Sequence, residues 1–169
     1  MTNWQPLTPS DIPHFVETLR HYPLSMDDNV LKYPMQFYRL RIASPDTYYV
    51  LTPEKVYMAL DPIGPHDAVI HFIRDPTCRH RKKKYLDIGK KFILACFNDF
   101  SLNRLTLTVV EGAKGPFKIA QILGFTLEGT LRKCRIIDGK MYDIHIFGLL
   151  REELGGCVPA LNSPPYLSP

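Results

Sequence analysis

The chain has 169 residues, 45% of them apolar and 11% aromatic, which suits one domain with its own core and excludes a disordered chain. The formal net charge is +4, too mild by itself to argue for DNA or RNA. That charge is also local: without residues 79–91 the chain would be slightly acidic.

In chain order, residues 3–9 (NWQPLTP) read as extended. Ser10 or Asp11 can then cap a helix with apolar Ile12, Phe15, Val16 and Leu19, with Pro13 tolerated in its first turn. Residues 23–34, with two prolines around SMDDN, read as a loop. MQFYRLRIA predicts a second helix that ends near Pro45. TYYVLT and KVYMALD are strand candidates joined at Pro53-Glu54, and AVIHFIR is a third strand after the loop DPIGPHD. The basic stretch TCRHRKKKYLDIGKK follows and runs into a helix from about Lys84 to Phe97, with Ile88, Phe92, Ile93, Cys96 and Phe97 on one side. RLTLTVV is a β-branched strand, and FKIAQIL a short helix closed by Gly124. FTLEGTLRKCRII and KMYDIHIFGLL are long strands joined at Asp138-Gly139, a strong hairpin signal.

This order predicts an α/β (α+β) fold: a mixed central β-sheet flanked by helices on both faces and finished by an antiparallel hairpin. Residues 1–153 are expected to form a single domain, and the Pro/Gly-rich segment 154–169 an extended tail. Cys78, Cys96, Cys134 and Cys157 lie far apart without metal-ligand spacing and read as free thiols of a reducing compartment, so no metal is expected. No apolar stretch reaches membrane-spanning length, and the first residues lack a signal peptide's basic and apolar regions. No membrane partner is expected, and the protein is expected to be cytoplasmic.

Several of these segments carry a resemblance. Asn103-Arg104-Leu105, Leu123-Gly124-Phe125, Glu128-Gly129, the Asp138-Gly139 hairpin, Tyr142-Asp143 and the closing GLLREE occur in order over residues 103–153. In order and spacing they resemble the C-terminal half of the GNAT superfamily of acetyl-CoA-dependent N-acyltransferases, in its ribosomal-protein-acetyltransferase branch. LTPSDIP is similar to that family's opening strand and helix. The resemblance implies a GNAT-like fold, with the cofactor's pyrophosphate on the loop between the fourth strand and the next long helix. There a Gln or Arg is followed, after two residues, by Gly-x-Gly or Gly-x-Ala.

The matching stretch here is Arg81, Lys82, Lys83, Lys84, Tyr85 and Leu86. Arg81 keeps the first position, while Lys84 and Leu86 stand where the family has small residues. The physical need is close approach of phosphate to main-chain N–H groups at a helix start. Either the lysines compensate and hold an anionic cofactor, or Lys84 and Leu86 fill the groove. In the family, the helix before Leu-Gly-Phe often begins with an Asn that contacts the cofactor arm and carries a Tyr that protonates the leaving thiolate. Here those positions are Ala113 and Ala120, and Pro116 sits in the helix's first turn. The expectation is therefore a non-catalytic binding or assembly module on this fold, with no firm cofactor. By analogy with degenerate phage proteins of this size, it would serve bacteriophage particle assembly or genome delivery and be packaged into a virion. The alternative is an active acetyl-CoA-dependent N-acetyltransferase acting on a protein or a small amine.

If the protein is catalytic, His71 is the base candidate, because it lies mid-strand and titrates near neutrality. The competing reading of His71 is a hydrogen-bonded strand histidine. Asp75 and His145 are further candidates, Asp143 reads as structural, and Cys78 adjoins the basic run without a nameable base. A protein partner is expected, and nucleic acid is a candidate partner for the basic segment 79–91, where only Tyr85 offers stacking.

Overall fold

A computed structural model describes residues 4–79 and 82–154. His80, Arg81 and the tail from residue 155 lie outside the described residues. The elements are β1 (Gln5–Pro6), α1 (Ile12–Arg20), α2 (Asp28–Lys32), α3 (Pro34–Ile42), β2 (Tyr48–Leu51), β3 (Val56–Ile63), β4 (Asp67–Arg74), α4 (Lys82–Asp99), β5 (Arg104–Val110), α5 (Lys114–Ile122), β6 (Thr126–Ile137) and β7 (Lys140–Leu150). The seven strands form one sheet in the order β1-β2-β3-β4-β5-β7-β6. All neighbours are antiparallel except β4 and β5, which α4 connects as a crossover.

Both faces of the sheet are covered, so the first five residues of β3, 56–60, read as an apolar run buried throughout. Its side chains alternate: Tyr57 and Ala59 join the cluster under α1 and α3, and Val56, Met58 and Leu60 join the cluster under α4 and α5. α1 buries Ile12, Phe15, Val16 and Leu19 against the first cluster. α4 buries Ile88, Phe92, Ile93, Cys96 and Phe97 against the second. Each fully buried Phe or Ile stabilises the fold by about 1.5–3 kcal/mol.

Asp11 does not cap α1 with its side chain. A 3-10 turn, Pro9–Asp11, precedes the helix, and the Asp11 carboxylate accepts the Thr8 N–H at 2.7 Å. The stretch read as a loop contains the short α2, capped by Asp27, whose Oδ1 accepts the Val30 N–H at 3.0 Å. Gly124 ends α5 with φ +96°, while the Gly124 N–H reaches Gln121 O and the Phe125 N–H reaches Ala120 O. Asp138 and Gly139 both have positive φ, 53° and 70°, which suits the two-residue turn of the β6–β7 hairpin. The tip of that hairpin is tied down: the Asp28 carboxylate accepts the N–H groups of Asp138 (2.7 Å) and Gly139 (3.0 Å). No described helix is long and apolar enough to cross a membrane.

Candidate functional site

β4 and β5 pair only at Asp67↔Arg104, Ala68↔Leu105 and Val69↔Thr106. Beyond these residues they part, although β4 stays paired with β3 to Arg74 and β5 with β7 to Val110. The separation frees main-chain groups on the facing edges of two central strands. Such groups are costly inside a protein unless a ligand or water meets them. The gap opens toward α4 and α5 on one face and toward α1–α3 on the other.

On the first face, α4 begins at the basic stretch, with no acidic residue in its first turn. Lys82 and Lys83 are exposed. Lys84 is drawn away, since its Nζ lies 3.2 Å from Glu54 in the β2–β3 turn. β3 lies on the side of β4 opposite β5, so this pair points away from the gap. Tyr85 and Leu86 pack against the core cluster, and burial raises the Tyr85 pKa above its ordinary value. Lys84 is thus turned to Glu54, and Leu86 is partly buried against the core cluster. The start of an 18-residue helix with two free cations fits an anionic diphosphate. Arg81 lies outside the described residues.

α5 begins at Lys114, three residues earlier than the sequence predicts, because Pro116 is compatible with its first turn. Ala113 stands at its N-cap without a side-chain hydrogen bond. Beside it is a cavity of about 260 Å3 lined by Val110, Gly112, Ala113, Lys114, Phe117 and His145. Ala120 is wholly buried in the core and offers no proton. Helix α5 also lies close to α4, where a Cβ at Gly89 would stand 3.3 Å from Leu123 Cδ2 and 3.7 Å from Phe72 Cε1.

On the second face, four side chains and a main-chain carbonyl converge. Asp61, on β3, receives Arg41 Nε at 3.1 Å, Arg41 Nη2 and the Tyr49 hydroxyl. His71 Nε2–H donates to the Asp61 carbonyl at 3.1 Å, opposite Ala59 in the β3–β4 register. This bond assigns the tautomer and leaves His71 Nδ1 as an acceptor. His71 keeps a partly accessible edge, but desolvation of its ring holds the pKa below the ordinary histidine range, and the charge of Arg135 acts in the same direction. His71 is thus hydrogen-bonded within the sheet, with a ring held toward its neutral form on the rim of the gap. Tyr38, in the same region, has its pKa raised first by burial and then by Asp61 and Asp27.

The other predicted residues fall elsewhere. Asp75 is buried at the end of β4, receiving Thr77 N at 2.7 Å, Thr77 Oγ1 at 2.6 Å and His14 Nε2 at 2.7 Å. Burial opposes its ionisation, but the Thr77 and His14 bonds outweigh it and hold the carboxyl below its ordinary pKa. It braces the loop that leads to α4. Cys78 is buried. Asp143 Oδ1 accepts the Lys133 N–H at 2.8 Å across the β6–β7 irregularity, a structural role. His145 Nδ1 is 3.0 Å from Thr130 Oγ1, and its ring meets Phe117 edge-on in the cavity beside α5. Among the described residues no cluster of His, Cys, Asp or Glu is arranged to hold a metal.

Sequence reasoning missed Arg41, Tyr49, Asp61 and Arg135. No local motif marks them: the bonds of Arg41, Tyr49 and Asp61 span 10 to 20 positions, and the Arg135 side chain has no bonded partner among the described residues.

No family model and no curated protein matches the sequence. Solved structures do. A variant of the spermidine N-acetyltransferase SpeG from Vibrio cholerae superimposes with a TM-score of 0.72 at 16% identity, covering 91% of this chain and 98% of that one. RimJ from Mycobacterium smegmatis, in complex with CoA-disulfide, gives 0.70 at 16%, covering 90% and 83%. A probable acetyltransferase gives 0.68 at 17%, covering 89% and 93%. The mixed sheet with helices on both faces is the GNAT fold that the resemblance implied.

Proposed function

We propose that the protein is an acetyl-CoA-dependent N-acetyltransferase. The reading that the sequence placed first, a non-catalytic assembly module with a plugged cofactor loop, finds no support among the solved structures of this fold named above, which are acetyltransferases. The observation that carries the enzyme reading is the parted β4–β5 pair, with an accessible cationic helix start on one face and a neutral histidine on the other. The solved structures of this fold named above are acetyltransferases, one of them with a CoA derivative bound, which supports the same assignment.

The division of labour follows from the residues. Lys82, Lys83 and the first N–H groups of α4 receive the diphosphate, an interaction of fixed dipoles and screened charges. Bound acetyl-CoA supplies an acyl thioester whose carbonyl carbon is the electrophile. The free N–H groups on the β4 edge beyond Val69 polarise a carbonyl oxygen placed in the gap. His71 Nδ1, kept neutral by desolvation, accepts the proton that the acceptor amine loses as its nitrogen forms the new amide bond. The Asp61 carbonyl holds the ring by its other nitrogen. The alanines at 113 and 120 offer a departing thiolate no proton.

The test is calorimetry and thermal shift with acetyl-CoA at moderate salt, alongside thiol release with a panel of amines. A hundredfold excess of ligand over Kd should stabilise the fold by roughly 2.7 kcal/mol. His71→Ala should lower kcat by roughly 10²–10⁴ without changing acetyl-CoA affinity. Absence of saturable binding would return the protein to the module reading. Turnover that survives His71→Ala would remove the base assignment.

A further inference from the structure

Four described arginines are half-buried: Arg41, Arg104, Arg135 and Arg151. Three are spoken for. Arg41 grips Asp61, Arg104 grips Glu128, and Arg151 donates to the Phe97 carbonyl. Arg135 has neither a hydrogen bond nor an ion pair among the described residues. The Arg135 side chain keeps contact with water and meets no anion among the described residues, and its planar fork suits a carboxylate or a phosphate.

Position makes this vacancy informative. Arg135 lies two residues from Ile137 on β6, opposite Tyr142, so both side chains share the inner side of the hairpin, where Ile137 packs with Val110, Ile144 and Leu24. This side faces α1–α3, as His71 does. The Arg135 charge is the smallest of the influences on the His71 and Tyr38 pKa values, and at His71 it favours the neutral ring. The surrounding carboxylates are occupied. Asp61 is gripped by Arg41 and Tyr49, both Asp28 oxygens hold the hairpin tip, and Asp27 Oδ1 caps α2.

We propose that the acceptor is an amine that also carries an anionic group, a carboxylate or phosphate, which Arg135 receives while the amine meets His71 Nδ1. The inference rests on the acetyltransferase reading of this site and names its substrate class. It sets the chain apart from an enzyme for spermidine, a polycation that an unmatched guanidinium on the acceptor side would repel.

Two measurements test it. The first is acetyl transfer to free amino acids against their amides, and to phosphoethanolamine against ethanolamine, with spermidine as the cationic control. The anionic member of a pair should be preferred by roughly tenfold to a hundredfold in kcat/KM, the range expected when charged hydrogen bonds are lost. The two pairs separate carboxylate from phosphate. Arg135→Met and Arg135→Gln should erase that preference through KM and leave the amides unchanged, and Arg135→Lys should keep part of it. Equal use of amides, a preference for spermidine, or an equal loss on amides in Arg135→Met overturns the proposal while the enzyme reading stands. The second follows the Arg135 Nε–H resonance by NMR during titration with glycine and with inorganic phosphate, which needs no turnover. A saturable shift that chloride at equal ionic strength does not reproduce supports the site even if no amine is acetylated. No shift, or the same shift with chloride, overturns it.

Discussion

The two faces of the sheet handle polarity in opposite ways. Toward α4 and α5, the positions beside the gap are Ala113, Ala120, Phe72 and core aliphatics, and the charges stand outside in water on Lys82 and Lys83. Toward α1–α3, charge is brought inside: Asp61 is gripped by Arg41 and Tyr49, its carbonyl holds His71, and Arg135 waits unpaired. The first arrangement relies on main chain and exposed cations, which tolerate substitution and weaken with salt. The second relies on interlocked side chains, where removing one member strands the others.

The largest effect should come from the interlocked side. Asp61→Ala leaves Arg41 and Tyr49 without their acceptor and should cost about 2–4 kcal/mol, read as a fall in the urea midpoint. Glu128→Ala, at the more exposed pair with Arg104, should cost under about 1 kcal/mol, and equal losses would erase the contrast. Next comes Asp75→Asn, expected to lose about 1–2 kcal/mol at neutral pH. The native carboxyl titrates below its ordinary value, so its contribution is present above the unfolded pKa of about 3.9 and disappears as pH falls through the folded one. The gap between wild type and Asp75→Asn should therefore close in acid. A gap that widened below pH about 4 would contradict this sign.

On the open face, Lys82→Glu with Lys83→Glu should raise the Kd for acetyl-CoA by about tenfold at low salt, with the difference shrinking as salt is added. The smallest effect belongs to Lys84→Ala. Its partner Glu54 is at the surface turn and Lys84 is half exposed, so stability should move by less than about 0.5 kcal/mol and cofactor affinity should hardly change. A large loss of affinity would mean that Lys84 leaves Glu54 for the ligand.

The sequence made the scaffold legible wherever a short stretch enforces its own geometry. Asp138-Gly139 can only be a tight reversal, Gly124 marks the stop of α5, and the spacing of Ile88, Phe92, Ile93, Cys96 and Phe97 defines the buried side of α4. α2 escaped notice because five residues between prolines show no apolar period. Bulk at 84 and 86 suggested a blocked groove because a motif says which residue occupies a position, not where its side chain goes. Lys84, for one, turns toward Glu54. His71 was visible as a mid-strand histidine. Asp61 was not, since its partners come from α3, β2 and β4. Arg135 looked like one more cation on an exposed strand. Its partner Tyr142 and the ordinary two-residue alternation put it on the inner side with Ile137.

The bond from Asp28 to the hairpin tip has a mechanical consequence. β6 and β7 project as a cantilever, and its free end is pinned by a carboxylate about 110 positions away along the chain. Three residues back from that pin sits Arg135. The span between the guanidinium and the imidazole is therefore set by a strut from α2, and Asp28→Ala should let it breathe, blunting discrimination between acceptors while leaving the rest of the sheet taut.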